Sequence, residues 1–105
     1  MNVQDSPFSY CVNTSTIREQ ALSLPETVDL VADVGYDGVE PWVRELDAYI
    51  ERGGELADLR KQLDDRGLVV PNLIGFFEWG SPDATVRAAA LDEARRNMDL
   101  AVALG

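Results

Sequence analysis

Three times in this chain a glycine closes a stretch of helical pattern: "ADVG" at Gly35, "DDRG" at Gly67 and "AVALG" at Gly105. Glycine is the natural residue just past a helix end, where the backbone turns left-handed. Short apolar runs with β-branched residues follow the first two, "GVEPW" and "LVVPNLI". Helix, glycine and apolar run in repetition predict strands alternating with helices.

The helices carry their own start signals. In "SLPE", Ser23 is an N-cap, Glu26 its capping-box partner and Pro25 a first-turn residue. Leu24, Val28 and Val31 then mark one buried face. A second helix sets Leu56, Leu59 and Leu63 on one face and pairs Arg60 with Asp64 outside. A third opens at Ser81 as N-cap with Pro82 behind it and buries Leu91, Ala94, Met98 and Ala101. A shorter helical turn, Leu46 to Ile50, precedes Gly53 and Gly54.

The strands read as Phe8 to Asn13, Gly38 to Pro41 and Leu68 to Ile74. The last two are continuous apolar runs, as expected of parallel strands covered by helices. Pro71 cannot donate to a ladder and is expected at a bulge or near the strand end. The order β-α-β-α-β-α gives an α/β fold, and residues 1–105 contain no linker or domain boundary.

Composition narrows the function classes. The net charge of −10 disfavours nucleic acid and anionic membranes as partners. No apolar run reaches the roughly 18 residues of a membrane span, and the N-terminus lacks a secretory pattern. A soluble, cytoplasmic protein is the default expectation. Eight Arg stand against one Lys, Lys61, amid 19 Asp and Glu. Such an acidic surface points to a halophilic protein, since salt screens carboxylate repulsion. Stability that fails to rise in molar salt would reject that idea. There is no histidine, so any metal held by this chain alone would need oxygen ligands. Cys11 is the single cysteine and reads as a small buried strand residue.

Ligands of such sheets gather beyond the C-terminal ends of the strands. Glu40 ends the second run, where it could meet substrate hydroxyls or a metal; a surface role, or a pair with Arg44, fits the sequence equally. Asn13, Thr14 and Ser15 follow the first run, where turn chemistry also accounts for them. Asn72, Phe76, Phe77 and Trp79 follow the third, and Trp42 the second. The aromatics read either as a pocket wall or as packing over the sheet end.

The segments "SLPETVDLVADVGYDGVEPW", "LRKQLDDRGLVVPNL" and "RRNMDLAVALG" resemble the start of a sugar phosphate isomerase/epimerase of the xylose isomerase-like TIM barrel superfamily. The resemblance covers about Ser23 to Gly105. It implies the first three βα units of a (β/α)8 barrel, residues 1–105 forming one partial barrel domain. It also implies a sugar or sugar phosphate substrate and proton transfer through an enediolate, with a divalent metal (Mn, Mg or Zn) in the complete enzyme. The metal ligands and acid/base residues are expected on later strands, so no metal is held and no catalytic residue supplied by this chain alone. Glu40, Trp42, Asn13, Asn72, Phe76 and Phe77 are the expected substrate-binding residues. A closed barrel takes about 250 residues, so this chain is expected to be an N-terminal portion with an exposed sheet edge. Self-association through that edge, or a non-catalytic α/β module covered by a partner, is the alternative.

Overall fold

The computed structural model describes residues 5–105. Its frame is a parallel ladder between β1 (Cys11–Asn13) and β2 (Gly38–Glu40). Cys11 lies opposite Gly38, Val12 opposite Val39 and Asn13 opposite Glu40. Between the two strands run a 3-10 helix (Thr14–Gln20) and α1 (Leu24–Val34). After β2 come α2 (Val43–Glu51), α3 (Leu56–Asp65) and α4 (Ala84–Leu104).

Helix α1 is built as its sequence predicts. The Ser23 hydroxyl accepts from the Glu26 N–H at 3.3 Å, and the Glu26 carboxylate accepts from the Ser23 N–H at 2.7 Å. Leu24, Val28 and Val31 are buried. The helix closes at Gly35, whose φ of 101° is left-handed. There the Tyr36 N–H donates to the Val31 carbonyl and the Gly35 N–H to that of Ala32, a Schellman arrangement. Gly67 closes α3 in the same way, with Leu68 donating to Leu63.

The cap gives a direct expectation. Ser23→Ala should lower stability by about 1 kcal/mol in urea unfolding. The Ser23 N–H, and secondly its hydroxyl, hold the Glu26 carboxyl below its ordinary value. A carboxylate depressed on folding stabilises above its unfolded pKa and loses that effect as pH falls through the folded value. The difference between wild type and Ser23→Ala should therefore shrink in acid. A difference that grows there would contradict the cap.

One cluster forms the core. Val39, 1% exposed, joins Val28 and Val31 of α1, Val43 and Leu46 of α2, Leu59 and Leu63 of α3, and Leu100 and Leu104 of α4. Arg96 of α4 forks onto Asp47 of α2 at 2.8 and 3.1 Å and also pairs with Glu93. The hydrogen bond from Arg96 holds Glu93 below its ordinary value.

Several expectations are corrected. Phe8 to Tyr10 lie outside β1, and Phe8 is exposed. The turn foreseen at Leu46 to Ile50 is part of the longer α2. The third apolar run forms two isolated bridges, Gly38 with Val69 and Trp42 with Ile74, instead of a ladder. Pro71 between them has no N–H to donate. Four steps along the second strand face five along the third, so Pro71 does sit in a bulge.

Helix α4 is capped by Asp83, whose carboxylate accepts from the Thr85 and Val86 N–H groups. Ser81 and Pro82 therefore precede the cap. Of the expected core face, Leu91, Met98 and Ala101 are exposed and Ala94 is half-buried; Ala90, Leu100 and Leu104 face inward. The helix is apolar on two sides, so periodicity alone did not say which side meets the core. On α3, Lys61 pairs with Asp65, and no ion pair joins Arg60 to Asp64 among the described residues.

Candidate functional site

Side chains alternate across a strand. Val39 points into the helices, so its neighbours Gly38 and Glu40 belong to the opposite face of the sheet, with Cys11 and Asn13 beside them in register. That face is open, because the strands are too few to close on themselves.

The Cys11 thiol donates to the Glu40 carboxylate at 3.2 Å. The cysteine is exposed, which corrects the expectation of a buried residue: it lies on the sheet face that no helix covers. Its hydrogen bond to Glu40, then burial and the carboxylate's charge, push the thiol above its ordinary value. Alkylation of Cys11 at pH 8 should accordingly be slower than that of a thiol in the unfolded chain. Glu40→Gln should speed it severalfold, and equal rates in the two proteins would reject the contact.

Asn13 organises the ends of both strands. Its side-chain oxygen accepts from the Trp42 indole N–H at 3.0 Å and from the Ser15 N–H and hydroxyl. Trp42 stands 5.4 Å from the Phe76 ring, and the Arg44 guanidinium lies 4.4 Å over its own. The sequence candidates Asn13, Trp42 and Phe76 are thus assembled around one indole. Glu40 stands beside Asn13 in the ladder, and no ion pair joins it to Arg44 among the described residues. Phe77 is half-buried. Asn72 is exposed in the bulged stretch, and no side-chain hydrogen bond ties it to the group among the described residues.

Glu45 belongs to this group although the sequence reading passed over it. It accepts from the buried Thr14 hydroxyl and, at 3.1 Å, from the Trp42 N–H. The signal was present in "WVRE": an acidic residue three places after a helix cap reaches back to the cap N–H. A cleft of about 220 Å³ opens beside the indole between α2 and α4, with Trp42, Arg44, Gly75, Phe76 and Asn97 on its walls. A smaller one of about 170 Å³ lies on the other side of Arg44, reaching Thr14, Ser15 and Arg18.

A sequence profile of the xylose isomerase-like TIM barrel family matches residues 28–105. The chain belongs to this family. Solved structures agree with it. A xylose isomerase-like TIM barrel/4-hydroxyphenylpyruvate dioxygenase fusion protein is 25% identical, with a TM-score of 0.80 over 95% of this chain and 15% of that one. A Sinorhizobium meliloti 1021 protein is 30% identical, with a TM-score of 0.77 over 92% of this chain and 33% of its own. A xylose isomerase domain protein from Alicyclobacillus acidocaldarius is 27% identical, with a TM-score of 0.71 over 92% and 33%. No curated protein matches by sequence. The chain thus spans a third or less of each of these structures. Its parallel strands and unclosed sheet are part of a TIM barrel.

Members of such a family invite the question of a metal. Glu40 and Cys11 are two neighbouring donors, but no group of three or more Cys, Asp or Glu side chains that could hold an ion occurs among the described residues. The described residues do not form a cation site by themselves. Among the described residues, no helix is long and apolar enough to cross a membrane.

Proposed function

We propose that this chain supplies the first three βα units of a metal-dependent sugar or sugar phosphate isomerase/epimerase of the cytoplasm. The reaction moves a proton between carbons next to a carbonyl, through an enediolate. The observation that supports this reading most is the position of Glu40. It stands at the C-terminal end of β2, in register with Asn13, on the sheet face turned away from the helices. Substrates of parallel βα folds meet their enzymes at that end of the strands.

In this reading the Glu40 carboxylate accepts a hydrogen bond from a substrate hydroxyl, and the Asn13 amide fixes the Trp42 indole as an apolar wall. Phe76 extends that wall 5.4 Å away. The divalent cation and the acid/base pair lie outside the residues described.

Solvent deuterium entering beside the carbonyl of a keto sugar, with Mn²⁺ present and the complete barrel containing these three βα units as the enzyme, is the test. Exchange that falls about tenfold or more in Glu40→Gln supports the reading, the loss of a hydrogen bond to a charged group. A complete barrel that neither binds Mn²⁺ nor exchanges any keto sugar overturns it.

A second reading has its own observation. On α4, Leu91, Met98 and Val102 are 52%, 65% and 75% exposed, beside an unclosed sheet. A non-catalytic module covering these surfaces by self-association or with a partner accounts for that exposure. Sedimentation as a compact monomer would reject it.

A further inference from the structure

The smaller cleft, of about 170 Å³, lies beyond the C-terminal ends of β1 and β2, where α1 and α2 begin. Two arginines line it, Arg18 from the 3-10 helix and Arg44 from the first turn of α2. Thr14, Ser15 and Thr27 also line it, with their hydroxyls already donating to Glu45, Asn13 and the Ser23 carbonyl, which leaves the arginines as its donors. In a chain of net charge −10 with eight arginines, two guanidinium groups meet at this one cleft, with Glu45 in its wall and Glu19 beside Arg18.

Arg44 is unusual among them. Its charge sits in the first turn of α2, where the helix dipole disfavours a cation. No carboxylate pairs with it, and its guanidinium makes no hydrogen bond among the described residues. Its fixed partner is the Trp42 ring, 4.4 Å below, and that ring is itself held by Asn13. Stacking leaves the planar fork of N–H donors free at its edge, the geometry that takes an oxyanion in two parallel bonds. Arg18 donates to the Ser15 carbonyl at 2.7 Å through Nη1 and is 3.6 Å from Glu19. Glu45, the acidic group in the cleft wall, is engaged by Thr14 and by the Trp42 N–H.

We propose that this cleft is an oxyanion subsite in which Arg44, with Arg18, takes the phosphate group of the substrate. It rests on the isomerase reading for the carbon chain that the phosphate carries, which would run from the cleft toward Glu40. The adjacency supports this: Thr14 at the cleft is the residue after Asn13, and its hydroxyl lies 3.5 Å from the Glu40 carbonyl. The substrate class is thereby narrowed from keto sugars to their phosphate monoesters.

The test titrates the ¹⁵N-labelled chain with inorganic phosphate at constant ionic strength, against sodium chloride and against acetate. The Arg44 and Arg18 Nε–H signals and the Trp42 indole N–H should shift saturably with phosphate and stay still in chloride. Arg44→Gln should weaken phosphate binding by about tenfold or more. Arg44→Lys should keep part of it, having the charge without the fork. Phosphate shifts that match those in chloride, or that persist undiminished in Arg44→Gln, overturn the subsite. Acetate binding as tightly as phosphate overturns the phosphate assignment. The wild-type comparison alone decides the matter if a variant fails to fold. Phosphate binding by this chain, with no sugar turnover by the complete barrel that contains it, would sink the isomerase reading and leave the subsite standing. Turnover of neutral keto sugars without phosphate binding would do the reverse.

Discussion

Leu46→Ala should lower the unfolding free energy by about 2–5 kcal/mol, the range for deleting a buried leucine side chain. Leu46 is 0% exposed and sits in the core cluster with side chains from all four helices and β2. Removing its isobutyl group leaves a void that those elements cannot fill without moving against one another. Domains of this size hold a total of about 5–15 kcal/mol, so the change removes a large share of the fold's stability. With a urea m-value of about 1–3 kcal/mol/M, the midpoint should fall by roughly 1–2 M. Leu91→Ala is the matched control. Leu91 is half exposed on α4, and its loss should stay within about 0.5 kcal/mol. A reversal of that order would mean that α4 packs through its other face.

Gly38→Ala should be the most damaging conservative change in the sheet. A Cβ at this position would lie 2.7 Å from the Val69 carbonyl oxygen, 3.1 Å from Val69 Cγ2 and 3.3 Å from Cys11 Cβ. The first neighbour is backbone, and that oxygen accepts the Val39 N–H at 3.0 Å. It cannot retreat without breaking the bond that ties the third apolar run to β2. Overpacking of this kind costs about 1–3 kcal/mol. Beyond the stability loss, the Val39 amide should exchange with deuterium faster relative to the amides of α1. A variant as stable as wild type, with an equally protected Val39, would show that Val69 does not approach β2 as closely as described.

The legible part of this fold was the part written locally. Capping at Ser23 and Glu26, the glycine stops at Gly35 and Gly67 and the inward faces of α1 and α3 depend on residues a few places apart, and the structure has them where the sequence puts them. Pro71 was also readable, since a residue without an N–H must interrupt a ladder. Length of pairing was not. The apolar run Leu68 to Ile74 looks like a full strand, but its bulge reduces it to two bridges, and only the partner strand fixes that register. Helix α4 misled for a related reason: with alanine and leucine on more than one side, its sequence does not single out the face that meets α2 and α3. Ser81 lost the cap to Asp83 because both are good caps in the same short stretch.

For the site, the sequence reached residue types and positions but not partnerships. It named Asn13, Glu40, Trp42 and Phe76 without linking them, because the Trp42–Asn13 bond and the Cys11–Glu40 bond join residues 29 apart. It placed Cys11 inside because cysteine is usually buried, whereas the open face of an unclosed sheet leaves it accessible. Arg44 illustrates the same limit from the other side. The sequence offered Glu40 as its partner at four residues' distance, and the structure gives it a tryptophan two residues away.

The measurement that bears most directly on this account is the set of cross-strand nuclear Overhauser contacts in the labelled chain. Parallel register requires contacts linking Val12 with Val39 and Gly38 with Val69, and side-chain contacts placing Cys11 beside Glu40 on the face opposite Val39. Contacts that run antiparallel, or that put Glu40 among Val28, Val31 and Leu46, would contradict it.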